Sequence, residues 1–302
     1  MSPTKTPIEQ IDFPGLAVEN LPTMYDLPSE SLEEPGLPDQ YHGWQGELCS
    51  ATFCPPTHPP DRIMVASDLN LYYDPYHPRW YKRPDWYGVV GVPRFYQERE
   101  LRLSYVIWQE KVIPMVAIEL LSPGTSGEDL GETPPGGSPP SKWEVYEQIL
   151  GIPYYIVFNR YTNQLRVFWL KGNRYQEQKL KEPRIWLPRL ELGIGLWKGK
   201  YREMRRQWLR WYDAQGNWIP TPTEAAQQQA EAAQQQAEAA QQQAETAQQQ
   251  AEAAQQQAEA AQLRAETAEH AQKEAISKLL GMGLSAQQVA EALGVPIEEV
   301  NS

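Results

Sequence analysis

The alternation of apolar and polar positions changes character twice along the chain. Up to about residue 220, short apolar runs are separated by Gly-, Pro- and Asn-rich breaks. A long polar helical repeat follows, and then a short amphipathic end. Within the first region, residues 39–53 (DQYHGWQGELCSATF) carry Tyr41, Trp44, Leu48 and Phe53 on roughly one stripe, which predicts a helix. Residues 63–73 (IMVASDLNLYY) read as a strand, with Asp68 ending an inner ladder or marking a bend. Residues 83–90 (RPDWYGVV) read as a strand with Asp85 near its start, and 104–110 (SYVIWQE) as a strand that turns at Lys111 into a hairpin. Its partner, residues 115–121, is apolar throughout except for Glu119. Such a run suits a strand buried on both faces.

After a loop rich in Gly, Pro and acidic residues, Ser141 and Glu144 have the spacing of a helix-capping box. The helix continues through Lys142, Trp143, Tyr146, Ile149 and Leu150, and Gly151 and Pro153 end it. Residues 154–158 are again strand-like. Strand, loop, helix and strand in this order favour a parallel crossover, so the sheet is expected to be mixed. Residues 164–170 and 175–180 extend it as hairpin strands, 186–201 supply a short strand and turn, and 204–212 form an amphipathic segment packed on the core.

The second region repeats QQQAEAA every seven residues. Ala, Gln and Glu all favour helix, and alanines at three-four spacing mark a coiled-coil seam. An alanine seam buries little area, so a monomeric helical spacer and a self-associating coil both stay open. At the end, Ser285 with Gln288 forms another capping box, and Val289, Ala292 and Leu293 an apolar face. This reads as a small helical cap or oligomerisation element. The alternative, the first part of a helix-turn-helix, is opposed by Glu298 and Glu299, which would repel phosphate.

Charge divides along the same boundary. The chain has 302 residues and a formal charge of −12. From Thr223 onward there are 12 acids and 3 bases, against 27 and 24 before it. The first region is thus nearly balanced, unlike a non-specific DNA binder, and nucleic-acid contact there would need a local patch or metal ions. Cys49 and Cys54 lack the second pair a structural zinc site needs and read as reduced thiols. The polar, Pro-rich start shows no signal peptide, and no apolar run approaches the ~20 residues of a membrane span. A cytoplasmic location without membrane attachment is expected.

The candidate chemistry lies in Asp85, Glu119 and Lys142, two strand acids and a lysine opening the next helix. Acids on neighbouring strands can hold Mg²⁺, which lowers the pKa of a bound water, while a lysine offsets charge on a phosphate. Lys142 is unfavourably placed for the helix dipole, which favours a functional reason for it. Glu128 and Asp129 read as solvent-facing loop charges, Asp129 having the alternative of positioning metal or substrate. Glu47 reads as a solvated helix face rather than a further acid, and His42 as a surface or packing histidine rather than a ligand.

The segments RPDWYGVV, VAIELLSP and SKWEVYEQILGIPYYIVF, in that order, resemble the Uma2-like restriction endonucleases, a branch of the PD-(D/E)XK nuclease superfamily. The resemblance covers roughly residues 37–196 and maps its acids onto Asp85 and Glu119 and its lysine onto Lys142. The residue two after Glu119 is Leu121 and not the superfamily's usual lysine, which implies that the lysine role has moved to Lys142. The resemblance implies an α/β restriction-endonuclease-like core with a mixed central sheet, here followed by the long Ala/Gln-rich helix. It implies hydrolysis of DNA phosphodiester bonds with Mg²⁺ or Mn²⁺ held by Asp85 and Glu119. The expected organisation is an irregular arm (1–36), an endonuclease-like domain (37–222), a heptad helix that is a coiled coil or spacer (223–274) and a small helical end (275–302). The alternative function is a catalytically inactive nuclease-like scaffold that binds itself or a partner through the helical tail.

Overall fold

A computed structural model describes residues 21–24, 26–27, 38–122, 124–134 and 136–301. The chain divides into one compact unit ending at Glu224 and a second beginning at Ala225. Of the apolar residues in the arm, Met24 and Leu27 are exposed, and Leu32 lies outside the described residues.

The first unit is built on a six-stranded sheet of β1 (Ile63–Ala66), β4 (Trp86–Val90), β6 (Val116–Leu120), β7 (Tyr154–Asn159), β8 (Gln164–Lys171) and β9 (Arg174–Glu177), in the order β1-β4-β6-β7-β8-β9. Only β6 and β7 run parallel, Val116 facing Tyr154 and Leu120 facing Phe158, while every other neighbouring pair is antiparallel. The sheet is therefore mixed, and its one parallel pair is the predicted crossover.

Both faces of the sheet are covered, which explains why its central strands read as continuous apolar runs. Side chains alternate between faces along each strand. Trp86, Ile118, Leu120, Ile156 and Phe158 point into one core, shared with helix α1 (Gln40–Thr52) and with Trp208, Leu209 and Trp211. Tyr87, Val89, Ala117, Tyr155 and Val157 point into the other, shared with Val145, Tyr146 and Leu150 of the crossover helix. That helix, α4, begins at Lys142–Glu144 and continues as a π-helical turn over Val145–Leu150, ended by Gly151 in the left-handed conformation.

The first core is closed by a second sheet of β10 (Arg184–Leu187), β11 (Leu192–Tyr201) and β12 (Met204–Tyr212). The amphipathic 204–212 segment is thus a strand, and the expected short strand and turn over 186–201 is mostly one ten-residue strand. Arg202 and Glu203, both at positive φ, form the two-residue turn between β11 and β12, the conformation that matches strand twist. α1 holds this sheet through Gln45, which is fully buried. Its amide Nε2 donates to the Leu209 carbonyl at 2.8 Å, and its Oε1 accepts from the Leu209 N–H at 2.9 Å.

Two expected elements take a different form. The single strand over 63–73 is broken at Asp68, whose φ of 51° turns the chain out of β1. Its second half, β2 (Leu71–Tyr72), joins a small separate sheet with β3 (Tyr81–Lys82) and β5 (Tyr105–Val106). The expected 104–110 strand is only β5 followed by the short helix α2 (Ile107–Glu110), and β5 pairs parallel with β2 instead of forming a hairpin with β6. The apolar pattern of SYVIWQE serves a two-residue strand and a helical turn equally well, a known ambiguity of short runs.

The second unit contains most of α5 (Pro222–Gly281), a 60-residue helix in which only Ile276 is buried. At 1.5 Å per residue it is ~90 Å long. Gln and Glu four apart bond along its surface, as from Gln227 to Glu231 at 2.9 Å and from Gln248 to Glu252 at 2.9 Å. Each such pair contributes only a few tenths of a kcal/mol, so intrinsic propensity carries this helix. At its end α6 (Ala286–Leu293), with the expected Ser285–Gln288 capping box, and α7 (Ile297–Val300) fold Val289, Ala290 and Val300 against Ile276. Among the described residues no helix is long and apolar enough to cross a membrane.

The clamp at Gln45 generates a stability test. Gln45→Ala should lower the unfolding free energy by about 2–4 kcal/mol, because it strands two buried backbone groups. Urea denaturation should show a lower midpoint with an unchanged slope, and a loss under half a kcal/mol would show that water replaces the amide.

Candidate active site

The antiparallel register of β4 and β6 sets Trp86 opposite Ile118. Continued by one residue, it sets Asp85 opposite Glu119. Alternation then puts both acids on the face covered by α4, with Tyr87 and Ala117 as neighbours. α4 enters that face with its N-terminus first. Ser141 caps it, accepting from the Glu144 N–H while the Glu144 carboxylate accepts from the Ser141 N–H. The capping box fixes the first turn, and Lys142 is the first residue in it.

Lys142 reaches back over the sheet. Its Nζ donates to Glu119 Oε2 at 3.1 Å and to Asp129 Oδ1 at 2.8 Å. Asp129 ends the short helix α3 (Ser126–Asp129) in the loop between β6 and α4, and it is fully buried. The solvent-facing reading of Asp129 is therefore replaced by its alternative, a place beside the two predicted groups. Tyr155 on β7 secures this turn by donating to the Asp129 carbonyl at 2.8 Å. Glu128 joins from outside: Oε1 accepts from the Lys142 backbone N–H at 2.8 Å and from Lys82 Nζ at 2.9 Å. The dipole mismatch at Lys142 is thus relieved by an acid capping the same turn.

The two strand acids are fixed from both sides. Tyr146, one helical turn beyond Lys142, donates its hydroxyl to Glu119 Oε1 at 3.0 Å. Asp85 Oδ2 accepts from the Leu120 N–H. His42 on α1 lies between Asp39, 2.8 Å from its Nδ1, and the Leu120 carbonyl, 3.3 Å from its Nε2. Nδ1 also accepts from the Asp39 backbone N–H at 3.4 Å, which closes the capping box of α1, and Nε2 faces the Leu120 carbonyl as its acceptor. His42 is thus a packing histidine, as expected, but one that touches the site strand. Glu47 is exposed and pairs with Arg202, as a solvated helix face should. Cys49 is buried, Cys54 exposed, and both are free thiols.

Burial dominates the electrostatics. Desolvation pushes the Asp85 carboxyl up to about 6, against the pull of Lys142, His42 and the Leu120 N–H. It drives Glu119 well above the usual range; Lys142 pulls the other way, and Asp129 and Asp85 push it further up. Lys142 loses solvation too, yet the three carboxylates outweigh that and hold it protonated. Asp68, partly buried, is also raised by burial, opposed by His42, Arg83 and Lys142. Three carboxyl groups, of Asp85, Glu119 and Asp129, thus stand around one ammonium, a surplus of two acids, and burial holds Asp85 and Glu119 toward their protonated forms.

That surplus is the property to test for a divalent cation. Among the described residues no three His, Cys, Asp or Glu side chains enclose a metal by themselves. Mg²⁺, however, commonly takes only one or two carboxylates and fills its other positions with water and substrate phosphate. Asp129 Oδ2 is buried without a hydrogen-bond partner, an acceptor that a cation or its water would satisfy. The donors are all hard oxygens. The residues fit a divalent metal of the Mg²⁺ or Mn²⁺ kind.

Sequence reasoning missed Tyr146 as a member of this cluster and held Asp129 only as the alternative to a solvent-facing loop charge. Tyr146 stands four residues after Lys142, a spacing that puts two side chains on one helix face, and that signal was available. Nothing in the spacing of Asp129 tells a buried loop acid from a solvated one. Leu121, at the superfamily's usual lysine position, is buried in the α4-side core.

The charge balance generates a pH test. An acid whose folded pKa lies above its unfolded value makes the protein less stable as pH rises between the two. For Asp85 that window runs from about 4 to about 6. In EDTA the wild type should lose stability across it, by at most about 3 kcal/mol. Asp85→Asn, which keeps an acceptor for the Leu120 N–H, should flatten that part of the curve. Equal pH profiles for the two proteins in thermal melts would refute the assignment.

No curated protein matches the chain. A solved structure described as "a putative nuclease belonging to DUF820" from Anabaena variabilis aligns at 15% identity and a TM-score of 0.36, over 51% of this chain and 74% of that one. The family model of Uma2, described as "Putative restriction endonuclease", matches residues 12–205. That span is well over half of the chain and contains Asp85, Glu119, Asp129 and Lys142, so the chain belongs to the Uma2 family of restriction-endonuclease-like proteins.

Proposed function

We propose that the protein is a metal-dependent endonuclease that hydrolyses DNA phosphodiester bonds. The observation that carries this reading is the meeting of Glu119, Asp129 and Lys142 in one buried cluster, with Asp85 opposite Glu119 on the neighbouring strand. Asp85 and Glu119 would hold the metal, and Asp129 would add a third carboxylate. A divalent ion there would lower the pKa of an attacking water and offset charge on the phosphate.

The protein's own residues would do the rest. Lys142 is held protonated by its acidic neighbours, so it serves as a fixed positive charge toward the phosphate and not as a base. Tyr146 sets the direction of Glu119 through Oε1, leaving Oε2 to Lys142. The Leu120 N–H and His42 fasten the strand end that carries the acids. Asp85 and Lys142 keep partial exposure while Glu119 and Asp129 are sealed, so substrate would approach from the Asp85–Lys142 side.

Purified protein should cut plasmid DNA with Mg²⁺ or Mn²⁺ and not in EDTA. Glu119→Ala, Asp85→Asn and Lys142→Ala should each lower the rate by at least ~10²-fold, the scale for loss of one electrostatic group at a reacting centre. Mg²⁺ should also raise the melting temperature of the wild type but not of Glu119→Ala. Cutting that survives all three substitutions would refute the site. No cutting, with no metal-induced stabilisation, would leave the inactive scaffold as the better reading.

A further inference from the structure

The nuclease reading leaves unanswered how a chain of charge −12 approaches a polyanion. Its basic residues are not evenly spread. Between Leu196 and Arg206 stand Lys198, Lys200, Arg202, Arg205 and Arg206 against a single acid, Glu203. This stretch is the far end of the β11–β12 ribbon, where Lys198 pairs with Gln207 and Lys200 with Arg205. Directly opposed residues share a face, so Lys198, Lys200 and Arg205 project together. All three are exposed. Lys200 pairs with Glu203 and Arg202 with Glu47. Lys198 and Arg205 have no carboxylate partner among the described residues.

We infer that this face of the β11–β12 ribbon is a grip for the phosphate backbone of DNA. For the class of ligand the inference rests on the proposed nuclease function. Charge complementarity carries it: two unpaired cations and a third held only by an exposed carboxylate form a positive face on a negatively charged chain. The ribbon is also joined to the site through α1. Gln45 clamps β12, and Arg206 lies 4.3 Å over the Tyr41 ring. Arg160 lies over the same ring at 4.9 Å and pairs with Asp39. Asp39 in turn holds His42 against the Leu120 carbonyl. The ribbon and the strand end that carries Glu119 are thus both braced against α1, and backbone contacts of this kind hold a duplex without reading its sequence. Neutralised phosphates release counterions, so such a grip is recognised by its salt dependence.

The test is fluorescence anisotropy of a labelled DNA duplex with the full chain in EDTA, where binding is read without cleavage, over a series of NaCl concentrations. The proteins are the wild type, Lys198→Ala/Arg205→Ala and, as a control for net charge, Lys273→Ala/Lys278→Ala on α5. The ribbon variant should bind more weakly, with a slope of log affinity against log salt shallower by about 2. The control should follow the wild type. Both ribbon side chains are exposed, so melting temperatures should agree. An unchanged slope, or an equal loss in the control, overturns the inference. So does an unchanged slope on DNA with lost binding to phosphatidylserine vesicles, which would assign the face to a membrane surface. The outcome is separable from the catalytic reading: cutting abolished by Glu119→Ala with an unchanged ribbon slope rejects the grip alone. A shallower slope in a protein that never cuts rejects the nuclease alone.

Discussion

The ammonium of Lys142 between Glu119 and Asp129 is the constraint on which the site depends. Three elements meet there that have no other reason to share one geometry: the central strand β6, the turn α3 and the first turn of α4. A buried ion cluster is not a source of net stability, because the cost of desolvating charges rivals their attraction. Here three carboxylates share one cation, one carboxylate oxygen has no partner, and burial raises both strand acids. The fold bears this cost from its two apolar cores, where Trp86, Trp208 and Trp211 on one side and Tyr87, Tyr105, Tyr146 and Tyr155 on the other are sealed from water. A cluster that opposes folding, with all but one of its buried side-chain oxygens held, is the kind of local conflict that supports the proposed site.

Much of this was legible in the residues. Glu119 stood out because it is the single charge in an apolar run, and a doubly buried strand tolerates such a residue only with a partner. The capping box at Ser141 fixed where α4 begins and so where Lys142 would stand. Parallel pairing of β6 with β7 followed from the order strand, loop, helix, strand. What could not be read was which loop acid would turn inward. Asp129 and Glu128 are adjacent and chemically alike, yet one is sealed beside Lys142 and the other half-exposed beside Lys82. Their difference arises when Tyr155, a residue on β7, binds the Asp129 carbonyl. The split at Asp68 is of the same kind, since a positive φ leaves little trace in composition. The β11–β12 sheet was partly hidden because Trp, Arg and Leu in RRQWLRWY suit an amphipathic helix and a twisted ribbon alike.

The two units are held by different physics. Before Glu224, aromatic burial and pairing between strands distant in sequence at the sheet's centre decide the fold, with hairpins extending it at β8–β9 and in the β10–β12 sheet. In α5 nothing but local propensity and Gln–Glu pairs four residues apart acts over most of its length. Its surface alanines offer a seam without the area that makes a coiled coil strong. Only around Ile276 does packing resume, through the small cap of α6 and α7.

The lysine's position on a helix and not on the strand has a structural consequence. A lysine two residues after Glu119 would share the strand's rigidity, because both side chains would issue from the same hydrogen-bonded ladder. At that position Leu121 instead packs into the core beneath α4. Lys142 is correctly placed only if α4 docks, and docking depends on the Ser141–Glu144 box, on Glu128 capping the same turn, and on Tyr146 meeting Glu119. Strand acids and helix lysine are therefore assembled by packing and not by local sequence. The apolar substitution at Leu121 strengthens the contact that sets the lysine in place. With Leu121 on the strand, the ammonium that meets Glu119 comes instead from the element packed above it.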